Sequence, residues 1–118
     1  MICIRVTEEE EGVEISALGH AGYGPRGQDI ICAGVSALLY GLKVYLEEKM
    51  PFAAAEESRP GELPTSYRVW EGDGELRIRI VDPSPAYKEA LAVVVAGLRL
   101  MAQVYPTYVM LDMERRRV

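Results

Sequence analysis

Hydrophobic and polar residues alternate over the first 17 positions, a pattern that predicts two β-strands. In residues 1–6, isoleucine or valine occupies every second position, with Cys3 and Arg5 between them. After a turn of four glutamates and Gly12, residues 13–17 alternate in the same way. We expect the two strands to pair as a hairpin.

Two longer apolar stretches predict helices. Residues 30–49 lack proline and follow Asp29, a favoured N-cap, so we expect a helix that ends before Pro51. An irregular connection is expected over residues 51–64, and a second helix over residues 86–104. Apolar side chains nearly surround both helices, which in a small domain indicates dimerisation partly through the helices.

Turn residues separate two further alternating runs. Residues 67–70 and 76–81 flank a segment of Asp, Glu and Gly at 71–75, which predicts a second hairpin, and residues 108–113 predict a last strand. The order ββ-α-ββ-α-β favours an α+β fold, a two-layer sandwich of a small β-sheet with two long helices, over a parallel βαβ fold. We expect a single domain over residues 1–118.

Small residues form a stripe on the first predicted helix. Gly34, Ala37 and Gly41 are three or four positions apart and therefore share one side. Because a glycine inside a helix costs about 1 kcal/mol relative to alanine, its presence needs a structural reason. Close approach of another helix is the natural one, and Gly97 is expected to act in the same way on the second helix.

Composition indicates one small domain outside the membrane. Of the 118 residues, 49% are hydrophobic and 26% are charged, which suits a single modest core. No uncharged apolar run of about 18 residues occurs, and the amino terminus lacks the basic and apolar regions of a secretory signal. We therefore expect a cytoplasmic protein without a membrane-spanning helix.

The charge balance argues against direct nucleic acid binding. The formal net charge is −5, whereas binding to phosphates requires clustered lysine and arginine. The run Arg115, Arg116 and Arg117 is one short basic segment, and we do not expect it to act as a nucleic acid site.

The only histidine, His20, opens a glycine-rich segment. Gly22, Gly24 and Gly27 exclude a regular element there and predict a flexible loop, but no Gly-Lys-Ser/Thr follows as in a phosphate loop. One histidine and two cysteines are too few for an ordinary structural zinc site. We therefore expect no metal and no other cofactor.

Cys32 lies in the first turn of the predicted helix, where backbone N–H groups and the helix dipole favour a thiolate. Asp29, Cys32 and Ser36 form one stripe, and they are the polar or reactive residues of an otherwise apolar half-helix. With His20 beside it, the thiol would form the Cys–His pair of cysteine hydrolases. Structural roles stay open: Cys32 as a core residue, Asp29 as an N-cap and Ser36 as a partner of a helix carbonyl, with Cys3 expected only to fill the core.

The chain resembles the bacterial ribosomal-processing cysteine proteases between Gly19 and Ser36. There a Gly-His-Ala tripeptide and a glycine-rich loop precede the sequence Asp-Ile-Ile-Cys-Ala-Gly-Val-Ser. The Tyr-Pro-x-Tyr-Val segment at 105–109, the size and the two helices are also similar, so the resemblance covers nearly the whole chain. Ile31 and Gly34 stand where the motif often has Val and Ala, which changes no chemical group.

This resemblance implies a homodimeric endopeptidase that removes a short amino-terminal extension from ribosomal protein twenty-seven of the large subunit. By motif match, Cys32 would be the nucleophile, His20 the general base and acid, and Asp29 and Ser36 supporting residues. The loop would be a lid ordered by substrate, and N–H groups at the helix start would stabilise the oxyanion. Two alternatives are a non-catalytic ribosome-assembly or peptide-binding module and a thiol redox sensor, with Cys3 or a second subunit as the resolving partner.

Overall fold

The computed structural model describes residues 1–56, 66–81 and 84–116 of the chain. Its elements are β1 (Ile2–Glu8), β2 (Gly12–Leu18), α1 (Ile30–Glu56), β3 (Ser66–Gly72), β4 (Glu75–Val81), α2 (Pro85–Val104) and β5 (Val109–Arg115). The predicted order ββ-α-ββ-α-β and the α+β class are confirmed. Of the expected irregular connection, residues 57–65 lie outside the described residues.

The five strands form one sheet in the order β3-β4-β2-β1-β5. β1 with β2 and β3 with β4 are the two predicted hairpins, and β2 joins them by antiparallel pairing with β4. β5 lies beside β1 and runs parallel to it, because α2 carries the chain back to the opposite sheet edge. The start of β1, the end of β2 and the β3–β4 turn therefore meet at one end of the sheet.

Alternation along β1 separates a core face from an outward face. Ile2, Ile4 and Val6 are each at most 4% exposed and belong to the core, as predicted. Cys3 and Arg5 face the other way and are exposed. The expectation that Cys3 fills the core is therefore wrong, because the period of two places its side chain on the outward face.

One side of α1 packs in the core and its other sides are exposed within the chain. The buried residues recur every three or four positions: Ile31, Val35, Leu39, Leu42 and Leu46. The exposed ones include Ile30, Ala37, Tyr40 and Val44. The prediction that apolar residues surround the helix is thus confirmed. Ala37, in contrast, makes no buried helix contact in the described part of the chain. Dimerisation stays a prediction.

Length and composition alone would allow Ile30–Lys49 to cross a bilayer, since its mean hydropathy reaches 1.5 over an 18-residue window. The expectation that the chain contains no such segment is therefore too strict. Core residues such as Leu39 and Leu46 lie in this same segment. Packing in the core thus accounts for the buried part of this segment, which is 28% of the window.

α1 extends beyond the proline that was expected to end it. The helix runs to Glu56, so Pro51 lies inside it. Proline removes one backbone N–H and disturbs the preceding turn, but its fixed φ is compatible with a helix. Three alanines follow at 53–55, and alanine has the highest helix propensity.

Glycines allow α1 and α2 to approach closely. A Cβ atom at Gly34 would lie 2.9 Å from Met101 Cε, and one at Gly97 would lie 2.7 Å from Leu38 Cδ2. At both distances an added side chain would require its neighbour to move, which confirms the predicted close approach at these two positions. Gly41 differs, because none of the described atoms lies within 4 Å of its Cβ position.

Candidate active site

Asp29 caps α1 and also ties the preceding loop to it. Its Oδ1 accepts hydrogen bonds from the N–H groups of Ile31 at 3.1 Å and Cys32 at 3.0 Å. Its Oδ2 accepts one from Tyr23 N–H at 3.1 Å. The Cys32 N–H bond is the largest cause that holds the pKa of the Asp29 carboxyl below its usual 3.8. The N-cap predicted from the sequence is therefore confirmed.

This cap changes the expected oxyanion site. The N–H groups of Ile31 and Cys32 already donate to the Asp29 carboxylate, so neither is free for a substrate oxygen in this arrangement. N–H groups at the helix start were expected to stabilise the oxyanion, but these two donors are occupied by Asp29.

The Cys32 side chain is half-buried in the first turn of α1. Its Sγ accepts a hydrogen bond from Ala21 N–H at 3.2 Å. Ala21 is 3% exposed and belongs to the core, so this donor lies at a fixed place in the fold. The sulfur is therefore held by a donor from outside its own helix.

Three hydrogen bonds fix the backbone on both sides of His20. Gly19 N–H donates to the carbonyl oxygen of Gly74 at 2.7 Å, and the amino group of Met1 donates to the carbonyl of His20 at 2.7 Å. The bond from Ala21 to the thiol is the third. The structure therefore brings the backbone that carries the histidine directly against the cysteine.

The imidazole of His20 lies beside the turn between β3 and β4. Its Nε2 is 4.0 Å from Asp73 Oδ1, and a Cβ atom at Gly74 would lie 3.0 Å from the same nitrogen. The side chain is 71% exposed. Sequence reasoning missed Asp73, because the Asp-Gly pair signals only a hairpin turn and not what the turn contacts.

The conformation of the glycine-rich loop explains its glycines, and one of its side chains contacts the segment before β5. Gly22 and Gly27 have positive φ angles of 72° and 87°, which explains glycine at both positions. At Gly24 a Cβ atom would lie 3.2 Å from a backbone oxygen of the loop itself. The ring of Tyr23 packs edge-on against Tyr108 at 5.3 Å, so the loop lies over the segment that leads into β5.

The remaining predicted residues lie apart from these contacts. Ser36 is exposed on α1, one turn beyond Cys32. Within residues 1–56, 66–81 and 84–116, no group of three or more His, Cys, Asp or Glu could hold a metal ion.

The arginines at the end of the chain are paired with acidic neighbours. Arg115 contacts Glu8 at 3.0 Å, and Arg116 contacts Glu114 at 3.2 Å. Arg117 lies outside the described residues. The two described arginines are thus partly neutralised within the fold.

Comparison with known proteins identifies the family. The sequence profile described as cysteine protease Prp matches residues 1–110. This chain belongs to the Prp cysteine proteases. It is therefore a cysteine protease, a hydrolase of the family that acts in ribosomal processing, and the resemblance noted from the motif is confirmed.

Related sequences and structures agree with this family. The ribosomal processing cysteine protease Prp of Mycoplasma pneumoniae is 25% identical over 103 residues, which cover 87% of this chain and 89% of that protein. The protein of the same name in Staphylococcus aureus strain Mu50 is 44% identical over 43 residues, or 35% of this chain and 41% of that protein.

Two crystal structures of the essential ribosomal processing protease Prp from S. aureus share the fold. The complex with a covalently linked product peptide has a TM-score of 0.77 and 24% identity, and it covers 97% of this chain and 100% of that chain. The complex with a substrate peptide has a TM-score of 0.72 and 23% identity over the same shares of both chains.

Proposed function

We propose that this Prp protein is an endopeptidase that removes a short amino-terminal extension from ribosomal protein twenty-seven of the large subunit. Family membership supports processing of a ribosomal protein. The observation that carries the proposal within this chain is the hydrogen bond from Ala21 N–H to Cys32 Sγ. It joins the residue next to the only histidine to the only cysteine at a helix start.

In the proposed mechanism Cys32 is the nucleophile. Its thiolate attacks the scissile carbonyl carbon, a C–S bond forms, and the carbonyl oxygen gains negative charge. Once sulfur is bonded to carbon, Ala21 N–H is no longer needed at the thiolate. It lies 3.2 Å from sulfur, next to the new tetrahedral centre. Ala21 is therefore a better candidate for the oxyanion donor than the N–H groups held by Asp29.

His20 supplies the proton transfers. Its imidazole takes the proton of the Cys32 thiol and gives it to the amine that leaves as the C–N bond breaks. It then takes a proton from the water that attacks the thioester, and the C–S bond breaks to release the acid product and free Cys32. Hydrogen bonds on both sides of His20 hold its backbone beside Cys32, which carries the imidazole to the side of the cysteine. The proposed lid would then consist mainly of residues 22–28, closing over bound peptide.

Asp29 and Ser36 have supporting roles in this proposal. Asp29 holds the first turn of α1, and with it Cys32, in place through two N–H groups of the helix, and it holds the loop through Tyr23 N–H. Ser36 lies on the same helix stripe and is exposed. Neither is proposed to exchange protons with the substrate.

Mass spectrometry of the ribosomal protein with its encoded amino terminus tests the proposal. Incubation with wild type should give one shortened product, and Cys32→Ala and His20→Ala should leave the substrate whole while circular dichroism stays unchanged. Cys3→Ser is the matched control, because this exposed thiol lies on the outward sheet face and its loss should be silent. Cleavage by Cys32→Ala would exclude Cys32 as the nucleophile.

If wild type and the variants all leave the substrate intact, two explanations remain. A pull-down with Cys32→Ala separates them. If Cys32→Ala retains the ribosomal protein, the chain binds it without cutting, as the module alternative states. If it retains nothing, the substrate assignment is wrong.

A further inference from the structure

The turn between β3 and β4 makes contacts with His20 that the mechanism above leaves unused. Asp73 Oδ1 faces His20 Nε2 at 4.0 Å, and Gly74 leaves the space that the ring occupies. The same turn accepts the hydrogen bond from Gly19 N–H, so ring and backbone are held by one structure. These are three separate contacts between the end of β2 and one turn.

We propose that Asp73 is a positioning residue for His20. We also propose that Gly74, which has no side chain, leaves the space in which the imidazole lies, the imidazole seat. Asp73 Oδ1 lies on the Nε2 side of the ring, so in this proposal Nδ1 is the nitrogen that exchanges protons with Cys32. This inference rests on the proposed function, in which His20 is the general base and acid. It assigns a role to the β3–β4 turn, which the sequence motif does not include.

A base in a hydrolase is commonly oriented by a third group that faces its other ring nitrogen. Asp29 is the acidic residue that the motif suggests, but its two oxygens already accept three backbone N–H groups. Among the described contacts, no backbone N–H group donates to Asp73, and its carboxylate lies beside the histidine. The orienting carboxylate therefore comes from the hairpin turn instead of the helix start.

The exposure of His20 and Asp73 determines how strongly their side chains attract each other. The side chain of His20 is 71% exposed and that of Asp73 is fully exposed, so water weakens their attraction in the free protein. A peptide bound over Cys32 would exclude part of this water and strengthen the attraction. The carboxylate then holds the ring in one orientation while the proton is carried to the leaving amine.

Nuclear magnetic resonance tests the seat without any substrate. The chain has one histidine, so its ring protons are unambiguous. We expect cross-relaxation between the imidazole protons and the Hα protons of Gly74 in wild type. Gly74→Asn should remove the close contact, because asparagine tolerates the φ of +67° but its side chain occupies the seat. Absence of the cross-peak in wild type would overturn the proposal.

Kinetics with the ribosomal protein test the positioning role. Asp73→Asn should lower kcat about 2–5-fold with KM unchanged, the range of an exposed ion pair, and Asp73→Glu should restore part of the loss. Gly74→Asn should lower kcat about 10–100-fold, because a displaced base loses its alignment. Gly72→Ala is the matched control in the same hairpin, since its nearest neighbour is 3.9 Å from the Cβ position, and its activity should equal that of wild type.

A thiol assay separates failure of this inference from failure of the proposed function. In the Cys3→Ser background, the rate at which iodoacetamide alkylates Cys32 requires no peptide. Slower alkylation in Asp73→Asn and Gly74→Asn supports positioning even if wild type cuts no ribosomal protein. Unchanged alkylation and unchanged kcat in both variants would refute positioning while the proposed protease activity stands.

Discussion

Asp29 combines two tasks, of which the sequence suggested the first. As an N-cap it satisfies two N–H groups of α1, and through Tyr23 it also fixes the glycine-rich loop. The cap could be predicted from local sequence, because Asp before an apolar stretch is a common helix start. The bond to the loop could not, because it depends on how the loop folds back.

The charge of Asp29 should make stability depend on pH. Its folded pKa lies below the usual 3.8, mainly through the Cys32 N–H bond, so its contribution is present above about pH 4 and is lost as pH falls through the lowered value. Asp29→Asn lacks this contribution. The difference in Tm between wild type and Asp29→Asn should therefore shrink from pH 7 to pH 3, as thermal unfolding at several pH values would show. A difference that stays constant with pH would contradict this origin.

The contact between α1 and α2 shows what a glycine pattern can and cannot predict. Gly34 in the small-residue stripe of α1, and Gly97 on α2, correctly indicated a close helix contact. The stripe did not indicate that Ala37 and Gly41 lie outside that contact. Spacing of three and four residues defines a side of a helix, whereas crossing geometry decides how much of that side touches the neighbour.

Gly97→Ala and Gly41→Ala should therefore differ in stability. Both gain the helix propensity of alanine, about 1 kcal/mol. Only at Gly97 does the new methyl group meet Leu38, at 2.7 Å, and such overpacking costs about 1–3 kcal/mol. We expect Gly97→Ala to be less stable than Gly41→Ala by about this amount in urea unfolding. Equal stabilities would mean that Leu38 moves aside without cost.

In the folded single chain, apolar side chains on both helices remain exposed. On α2, Val93 is 71% exposed and Leu100 is 58% exposed, and Tyr40 and Val44 are exposed on α1. Exposed apolar residues on neighbouring elements are typical of a surface that pairs with a partner. This observation supports the predicted homodimer.

Sedimentation velocity tests the predicted dimer. Wild type should sediment as a dimer, and Leu100→Glu should shift it toward the monomer because a charge in an apolar interface is costly. Leu18→Glu is the matched control, since Leu18 is 59% exposed but lies on the outward face of the sheet. A wild-type monomer, or dissociation by both substitutions alike, would contradict dimerisation through the helices.

Local sequence patterns were enough to predict the helices and strands, their order and three candidate site residues, Cys32, His20 and Asp29. Periodicity, caps and turn residues act over a few positions, so each can be recognised without knowing the chain path. Even the outward position of Cys3, which was wrongly expected in the core, follows from the alternation of β1.

The parallel position of β5 beside β1, the passage of α1 through Pro51 and the seat of His20 on Gly74 came only from the fold. The strand pairing and the seat join residues that are distant in the chain. The order of strands in the sheet decides such neighbours, and the packing of the complete core decides that order.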